Sequence, residues 1–413
     1  MDEETTVNVR PLAAVVGVGT ELITGIRTDT NTAEIATALL EAGYRVTETV
    51  RLADDVTLIS AALRRLTASC SLVVVTGGLG PTHDDITREG AAHALGLSLE
   101  RDAGTEERLA SMGLRHQDTD ARKQLLKQAD VLIGATVIAP TIGTAPGQIV
   151  STATGTLVIL PGPPHEMRPM LATFLTKTRR TAPPARLRCA GTTESDAQVR
   201  VQRVLVRHPG IGLTVLASPA EVEIVLFADG AGARGVARAA TAVREILGDD
   251  CYSDDGSSLA ETVVRLARMH GVRLSLAESC TGGMIAAAIT DVTGSSDVFV
   301  GGIVAYSNAI KMTGLNVTKT TLAAYGAVSP ETAAEMAMGA MRGSGADLAL
   351  SVTGVAGPGG GSPDKPVGTV WFGLSHSGEC RTWRRDLFGD RTAVRLRATV
   401  HALDAIRREL QKD

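Results

Sequence analysis

Unbroken apolar runs ending in glycine alternate along the chain with stretches of helical spacing. The run Leu12–Gly19 (LAAVVGVG) predicts a buried strand. From Thr32 to Ala42 the apolar positions Ala33, Ile35, Ala36, Leu39 and Leu40 fall on a helical period, and Gly43 stands where a C-cap glycine belongs. A second strand, SLVVVTGG, closes at Gly78, and a helix begins near Ile86. The segment ends with LVILPGPPHEM (Leu157–Met167) and a short helix. Strand, helix, strand, loop and helix in this order predict a parallel sheet covered by helices.

The pattern then breaks at Thr181–Ala185, where TAPPA follows the polar run KTRR and favours an extended connector. Between Arg186 and about Asp255 lies a small unit with strands at Gly212–Leu216 and Val222–Ala228 and helices near Asp196–Arg207 and Ala233–Leu247. Its GARG (Gly232–Gly235) has the form of the GXXG loop of KH-type RNA binders, but it falls between a strand and a helix and reads as a plain turn. The polar stretch SDDGSS (Ser253–Ser258) opens a third segment. This segment predicts a helix at Leu259–Met269, strands at Val272–Ala277 and Val298–Ala305, and a helix at Pro330–Arg342. Strands at Leu348–Thr353 and Thr369–Leu374 follow, then a C-terminal helix from about Thr392. The expected fold class is α/β, then α+β, then α/β, with domains at 1–180, 186–255 and 256–413.

Size and composition agree with this division. At 413 residues the chain exceeds one ordinary core. With 44% hydrophobic and 21% charged residues it has the balance of a globular protein. The net charge of −4 and 3% aromatics argue against direct nucleic-acid binding, which relies on basic surface and stacking rings. Apolar runs as short as Leu157–Leu160 exclude a spanning helix of the usual length. The acidic start MDEETTVNVR lacks the chemistry of a targeting peptide. Five scattered cysteines, Cys70, Cys189, Cys251, Cys280 and Cys380, form no CxxC pair, so a reducing cytoplasm is expected.

Three strings in the third segment carry chemistry. In LSLAESCTGGMIAAAIT (Leu274–Thr290) a strand runs through Glu278-Ser279-Cys280 into a helix, so Ser279 stands at a carboxyl strand end, where ligands of open α/β sheets collect. The N–H groups of Thr281, Gly282 and Gly283 are expected to face outward there, at the positive end of the helix, able to hold a phosphate or an oxyanion. A serine in this place also serves simply as an N-cap. In GGIVAYSNAIK, Tyr306 and Lys311 follow a strand. A desolvated lysine can deprotonate a serine, although the string taken alone favours an ordinary loop with a solvated lysine. In LALSVTGVAGPGGG (Leu348–Gly361) a strand ends in a loop whose backbone can approach an anion, or which is merely a flexible surface loop. GxGxxG, GxSxG, GxxxxGK and HExxH do not accompany these strings, which disfavours dehydrogenase, lipase, P-loop and zincin chemistry. In the first segment TGGLGPTHDD (Thr76–Asp85) joins a glycine-rich turn to two adjacent acids. They offer a phosphate cradle with Asp84 or Asp85 toward a divalent ion, or acids that only start the next helix.

Taken together, AESCTGG, YSNAIK and TGVAGPGGG closely resemble the C-terminal domain of the competence/damage-inducible protein A (CinA) family, whose activity is deamidation of nicotinamide mononucleotide to nicotinic acid mononucleotide and ammonia. The resemblance implies Ser279 as nucleophile, activated by Tyr306 and Lys311 without a metal or cofactor. It places Cys280, Thr281, Gly282, Gly283, Thr353, Gly354, Ala356 and Gly357 around the nucleotide. GTELITG, DTN, TGGLGPTHDD, GTAPG and LPGPPHEM are similar to the N-terminal domain of the same family, of molybdopterin-binding fold and associated with metal-dependent ADP-ribose pyrophosphatase activity. This implies a second nucleotide site at Gly77, Gly78, Gly80 and Thr82, with a divalent ion near Asp84 and Asp85. Two departures touch that pocket: Pro140-Thr141 stand where the family has Asn-Pro, and Ala121 replaces an asparagine. The middle segment resembles the family's KH-like connector. A homodimer is expected, with small nucleotides as ligands and no membrane. A non-enzymatic adaptor in DNA uptake or repair and a molybdopterin carrier are the competing readings.

Overall fold

In the computed structural model, residues 10–111, 119–176, 184–228 and 233–412 are described. The acidic start at 1–9, most of the TAPPA connector and Gly232 of the GARG string lie outside them, as does the side chain of Ala121. The chain divides into two compact units: Met1–Pro184 with Phe227–Arg234, and Ala185–Leu226 with Gly235–Asp413.

The first unit is built on a six-stranded sheet in the order Arg45–Leu52, Leu12–Val18, Leu72–Thr76, Thr156–Leu160, Gly147–Ser151, Thr136–Ile138. The first four strands are parallel and the last two antiparallel, so the all-parallel expectation holds for the centre of the sheet and fails at one edge. Helices cover both faces, which is why the central strands read as unbroken apolar runs. Ala14, Val16, Val73, Val75, Leu157 and Ile159 enter one core cluster. Their neighbours Ala13, Val15, Leu72, Val74, Val158 and Leu160 enter the other. The edge strand Arg45–Leu52 (RVTETVRL) alternates exposed and half-buried positions. Its polar residues hide it from a search for continuous apolar runs. The closing helix, Pro164–Thr176, is longer than expected and runs through Pro169.

A four-stranded sheet follows in the order Ile211–Ser218, Glu221–Ala228, Ala185–Ala190, Cys251–Ser253. The last two strands have no pattern of their own that sequence reasoning found. They pair antiparallel with each other, and Ala185–Ala190 pairs antiparallel with Glu221–Ala228. Helices Glu194–Leu205 and Ala233–Leu247 complete this α+β part. Helix Leu259–His270 then starts with a full capping box between Ser258 and Glu261.

The remaining five-stranded sheet runs Phe299–Val304, Leu274–Glu278, Leu348–Gly354, Thr369–His376, Glu379–Asp386. Three strands are parallel, and the last two turn back antiparallel. Leu274–Glu278 sits between two parallel neighbours in a register that sets Glu278 beside both Val304 and Val352. All three strands therefore deliver their following loops to one edge of the sheet. The polar edge strand Glu379–Asp386 (ECRTWRRD) pairs on one side only and escaped the sequence reading. No described helix is long and apolar enough to cross a membrane.

Candidate active site

Because strands 274–278, 299–304 and 348–354 end in register, the three strings of the third segment are neighbours in space. Ser279 continues the central strand, donating its N–H to the Val352 carbonyl at 2.9 Å, and Ala305 donates to the Glu278 carbonyl at 2.7 Å. From Ala305 the chain turns into helix Asn308–Leu315, capped by the Ser307 hydroxyl on the Ile310 N–H. The first turn of that helix carries Lys311 back under the strand ends. Its Nζ lies 3.0 Å from Ser279 Oγ and donates to the Ala305 carbonyl at 2.6 Å.

Lys311 is 1% exposed. Burial penalises its ammonium and pulls its pKa below the ordinary lysine value, opposed by the nearby Cys280 thiol. Among the described residues no carboxylate is hydrogen-bonded to it. Burial pushes the Cys280 thiol itself up to about 11, so it stays protonated at neutral pH and serves as a small apolar neighbour rather than a rival nucleophile. Ser279, 8% exposed, is therefore the exchangeable hydroxyl facing the amine.

The turn after Ser279 departs from expectation. Gly282 and Gly283 do not offer free N–H groups: Gly282 donates to the Ser279 carbonyl at 3.1 Å, and Gly283 donates to Glu278 Oε2 at 2.9 Å. The Glu278 carboxylate, 1% exposed, also accepts from Ile285 and Ala286 at 3.2 and 2.8 Å. It thus occupies the helix N-terminus expected to face an anion, as a carboxylate does where the orphan donors and positive dipole end coincide. Cys280 and Thr281 are the residues of this turn whose N–H groups have no acceptor among the described residues. The Thr281 hydroxyl is also buried without a partner. An acidic residue just before a glycine-rich helix start is the sequence signal for Glu278.

Tyr306 makes no hydrogen bond to Ser279 or Lys311. It is 63% exposed, and its hydroxyl accepts from Arg391 Nη2 at 3.0 Å. Arg391 also donates to the Gly357 carbonyl at 2.8 Å, so one guanidinium ties the tyrosine loop to the glycine loop. One helical turn later, Arg395 donates to the carbonyls of Cys280 and Thr281 at 3.1 and 2.8 Å. Both arginines lie on helix Arg391–Leu410, where sequence reading saw only a C-terminal helix. Within the third string, Thr353 is buried and donates its hydroxyl to Ala327, while Gly354 still pairs in the strand. Ala356 and Gly357 are buried with backbone N–H groups unclaimed by the described residues. Gly357 sits at φ +82°, a conformation that side chains disfavour.

In the first unit the strand ends Val18 and Thr76, with Pro161 just after strand Thr156–Leu160, line a cavity of about 430 Å³. Gly77, Gly78 and Gly80 line it with Asn31, Asp85, Thr144 and Glu166. Gly77, at φ +102°, leaves no room for a side chain, because a Cβ there would lie 2.2 Å from the Val18 carbonyl. Three side chains hold the turn in place. Asn31 donates to Thr76 Oγ1 and to the Gly162 carbonyl, at 3.0 and 2.6 Å. Thr87 donates to the Gly77 carbonyl at 2.8 Å. Arg88, 1% exposed, donates to the carbonyls of Leu79 and Gly80. The Pro140-Thr141 departure lies in a loop held by Arg108, which donates to the Pro140 and Gly143 carbonyls at 2.7 and 2.8 Å.

The two adjacent acids separate, as successive turn residues do. Asp85 lines the cavity and folds back on the backbone and hydroxyl of Thr82, whereas Asp84 is exposed beside His83 and lies outside it. Asp29 is committed to Thr32 and Arg51. Among the described residues no three His, Cys, Asp or Glu side chains converge as a metal set. Asp84 and Asp85 therefore do not face the cavity together.

Fold and site define a two-unit α/β protein that carries a buried serine–lysine pair at one sheet edge and a glycine-turn cavity at another. Residues 256–410 match the CinA C-terminal domain, and residues 14–181 match the probable molybdopterin binding domain. The chain is 36% identical over 411 residues to a CinA-like protein of Syntrophomonas wolfei subsp. wolfei, covering 97% of this chain and 99% of that one. It is 39% identical over 413 residues to a CinA-like protein of Citrifermentans bemidjiense, covering 96% and 97%. The solved structure of competence/damage inducible protein CihA from Agrobacterium tumefaciens is 40% identical, with a TM-score of 0.35 over 38% of this chain and 97% of that one. A molybdopterin biosynthesis protein from Mycobacterium abscessus is 23% identical, with a TM-score of 0.29 over 40% and 90%. The chain belongs to the CinA family.

Proposed function

We propose that the C-terminal domain is a serine amidohydrolase that deamidates nicotinamide mononucleotide to nicotinic acid mononucleotide and ammonia. The observation that carries this reading is the contact of 3.0 Å between the Lys311 amine and the Ser279 hydroxyl, buried and without a neutralising carboxylate among the described residues. A neutral amine has one lone pair and two protons. One proton holds the Ala305 carbonyl while the lone pair accepts the serine proton.

Ser279 Oγ then attacks the carboxamide carbon, and the carbonyl π electrons move to oxygen. That oxyanion meets the N–H groups of Cys280 and Thr281; losing one such donor typically costs about 2.7–4 kcal/mol of barrier. The lysine ammonium returns its proton to the departing nitrogen, which leaves as ammonia and gives a nicotinoyl ester on Ser279. Water adds to the ester, Lys311 takes its proton, and the serine oxygen recovers it as the acid is released. Tyr306 and Arg391 shape the substrate side of the site rather than the proton path. In the N-terminal cavity the glycine turn suits a phosphorylated ligand, but we assign no hydrolysis to it.

Ammonia release from nicotinamide mononucleotide, compared between the wild type and Ser279→Ala with and without chelator, tests the proposal. Turnover by the wild type alone, unchanged by chelator, supports it. A folded wild type that releases no ammonia removes the deamidase assignment and brings the adaptor reading forward.

A further inference from the structure

The helix Arg391–Leu410 has a second working face. Arg391 and Arg395, one turn apart, reach the Ser279 side of the domain. Arg397, two residues on and so about 200° around the helix, starts a different row: Arg397, His401, Ala405 and Arg408. That row lines a cleft of about 920 Å³, walled on the other side by the start of helix Glu194–Leu205 and the turn between strands Ile211–Ser218 and Glu221–Ala228. Its volume lies in the range of small-molecule sites.

The charges in this cleft are unevenly satisfied. Three of its four acids are engaged, and the fourth, Glu194, is exposed at the start of its helix. Asp250 pairs with Arg200 and Arg408, Asp404 pairs with Arg407 and Arg408, and Glu221 accepts the Tyr252 hydroxyl at 2.6 Å. Arg385 and Arg397 have no carboxylate partner among the described residues. The Nε of Arg397 is buried with no hydrogen-bond partner among the described residues, a costly state for a charged donor. Burial, with Arg385 and Arg397 nearby, holds His401 below its ordinary value, opposed by Asp404. The two guanidinium groups therefore flank a neutral imidazole. The Arg397 guanidinium lies 3.6 Å from the ring centre of Phe388, which is 70% exposed. That ring has one face on a cation and the rest open to solvent, whereas Trp383 is stacked on Phe372 and overlaid by Arg381. Two unpaired guanidinium groups beside an open aromatic ring fit a planar base linked to a phosphate.

We infer that this cleft binds a nucleotide, with its phosphate on Arg385 and Arg397 and its base on Phe388. The site is separate from Ser279 and does not depend on the deamidase reading.

The test uses the full chain carrying Trp371→Phe, which leaves Trp383 as the one tryptophan and a local reporter in the cleft wall. Adenosine monophosphate, adenosine and inorganic phosphate are titrated while Trp383 emission is followed, and thermal melting confirms that each variant is folded. Adenosine monophosphate is expected to give a saturable change that weakens at least tenfold in Arg385→Ala/Arg397→Ala and in Phe388→Ala. Adenosine and phosphate are expected to bind at least tenfold more weakly than the nucleotide. The exposed single change Arg385→Ala keeps the test open if the double variant does not fold. An absent response, or equal affinity in the folded variants, overturns the inference. Phosphate binding as tightly as the nucleotide reduces the cleft to a simple anion site and overturns it too. A signal that follows protein concentration alone replaces the nucleotide with a second copy of the chain.

Discussion

The carboxylate of Glu278 accepts the Gly283 N–H at 2.9 Å, one residue before the hydroxyl that Lys311 reaches. The buried acid thus fixes the turn on which Ser279 stands. It takes up helix-end donors that would otherwise be free for an anion. Glu278→Ala leaves the N–H groups of Gly283, Ile285 and Ala286 without their acceptor, which is expected to cost about 3 kcal/mol or more of stability. Glu278→Gln keeps one acceptor oxygen and should fall between the two. Denaturant melts of the three proteins check the order, and equal stability of wild type and Ala variant would refute it.

Lys311 makes stability and rate depend on pH in the same direction. Its pKa is lower folded than unfolded, so between those two values the unfolded chain binds the extra proton and stability rises with pH. Below the folded value the buried ammonium carries its full penalty. Lys311→Met is expected to be more stable than wild type at low and neutral pH, with the difference shrinking as pH rises toward the ordinary lysine value. The kcat/KM for deamidation should rise with pH through the folded value and then level off, and Lys311→Met should be inactive. A flat profile, or activity in the Met variant, would take lysine out of the proton path.

Arg391 joins Tyr306 to Gly357, so the two loops should respond as one unit. Arg391→Ala and Tyr306→Phe are each expected to raise KM for nicotinamide mononucleotide about tenfold, with a smaller effect on kcat. Combined, they should lose less than the sum of the two. Strict additivity in the double-mutant cycle would show that the bond between them does nothing for substrate.

Arg407 is fully buried and donates to Asp404 from both Nε and Nη2, and to the Asp249 carbonyl. Asp404→Ala strands that cation and is expected to cost about 3–5 kcal/mol. The combined change Asp404→Ala/Arg407→Met should recover part of the loss. Calorimetric melting distinguishes the cases, and an Ala variant as stable as wild type would contradict the buried-pair account.

At Gly77 a methyl group would meet the Val18 carbonyl at 2.2 Å in a backbone conformation that alanine disfavours. Gly77→Ala is expected to destabilise the first unit by about 2 kcal/mol or more. A melting curve superimposable on wild type would mean that the turn relaxes freely.

Most central elements were legible because burial on both faces writes an unbroken apolar run, as in Leu12–Val18, Leu72–Thr76 and Leu348–Gly354. The edge strands Arg45–Leu52 and Glu379–Asp386 were not. Each pairs on one side and faces water, so its residues satisfy the sheet without announcing it. The short strand Cys251–Ser253 owes its state to pairing with Ala185–Ala190, more than sixty residues away in sequence, which no local pattern encodes.

The sequence by itself determined the order of elements, the family resemblance, and the nomination of Ser279 and Lys311. Those rest on local patterns: apolar periodicity, glycine punctuation and residue types that carry chemistry. Only the tertiary structure decided who meets whom. Parallel register sets Glu278 beside Val304 and Val352 and so converges three loops from distant stretches of chain. That convergence brings Lys311 to Ser279, gives the helix end to Glu278, turns Tyr306 toward Arg391 and parts Asp84 from Asp85. Each outcome is a contest between donors and acceptors for partners within about 3 Å, and such a contest is settled by packing in three dimensions.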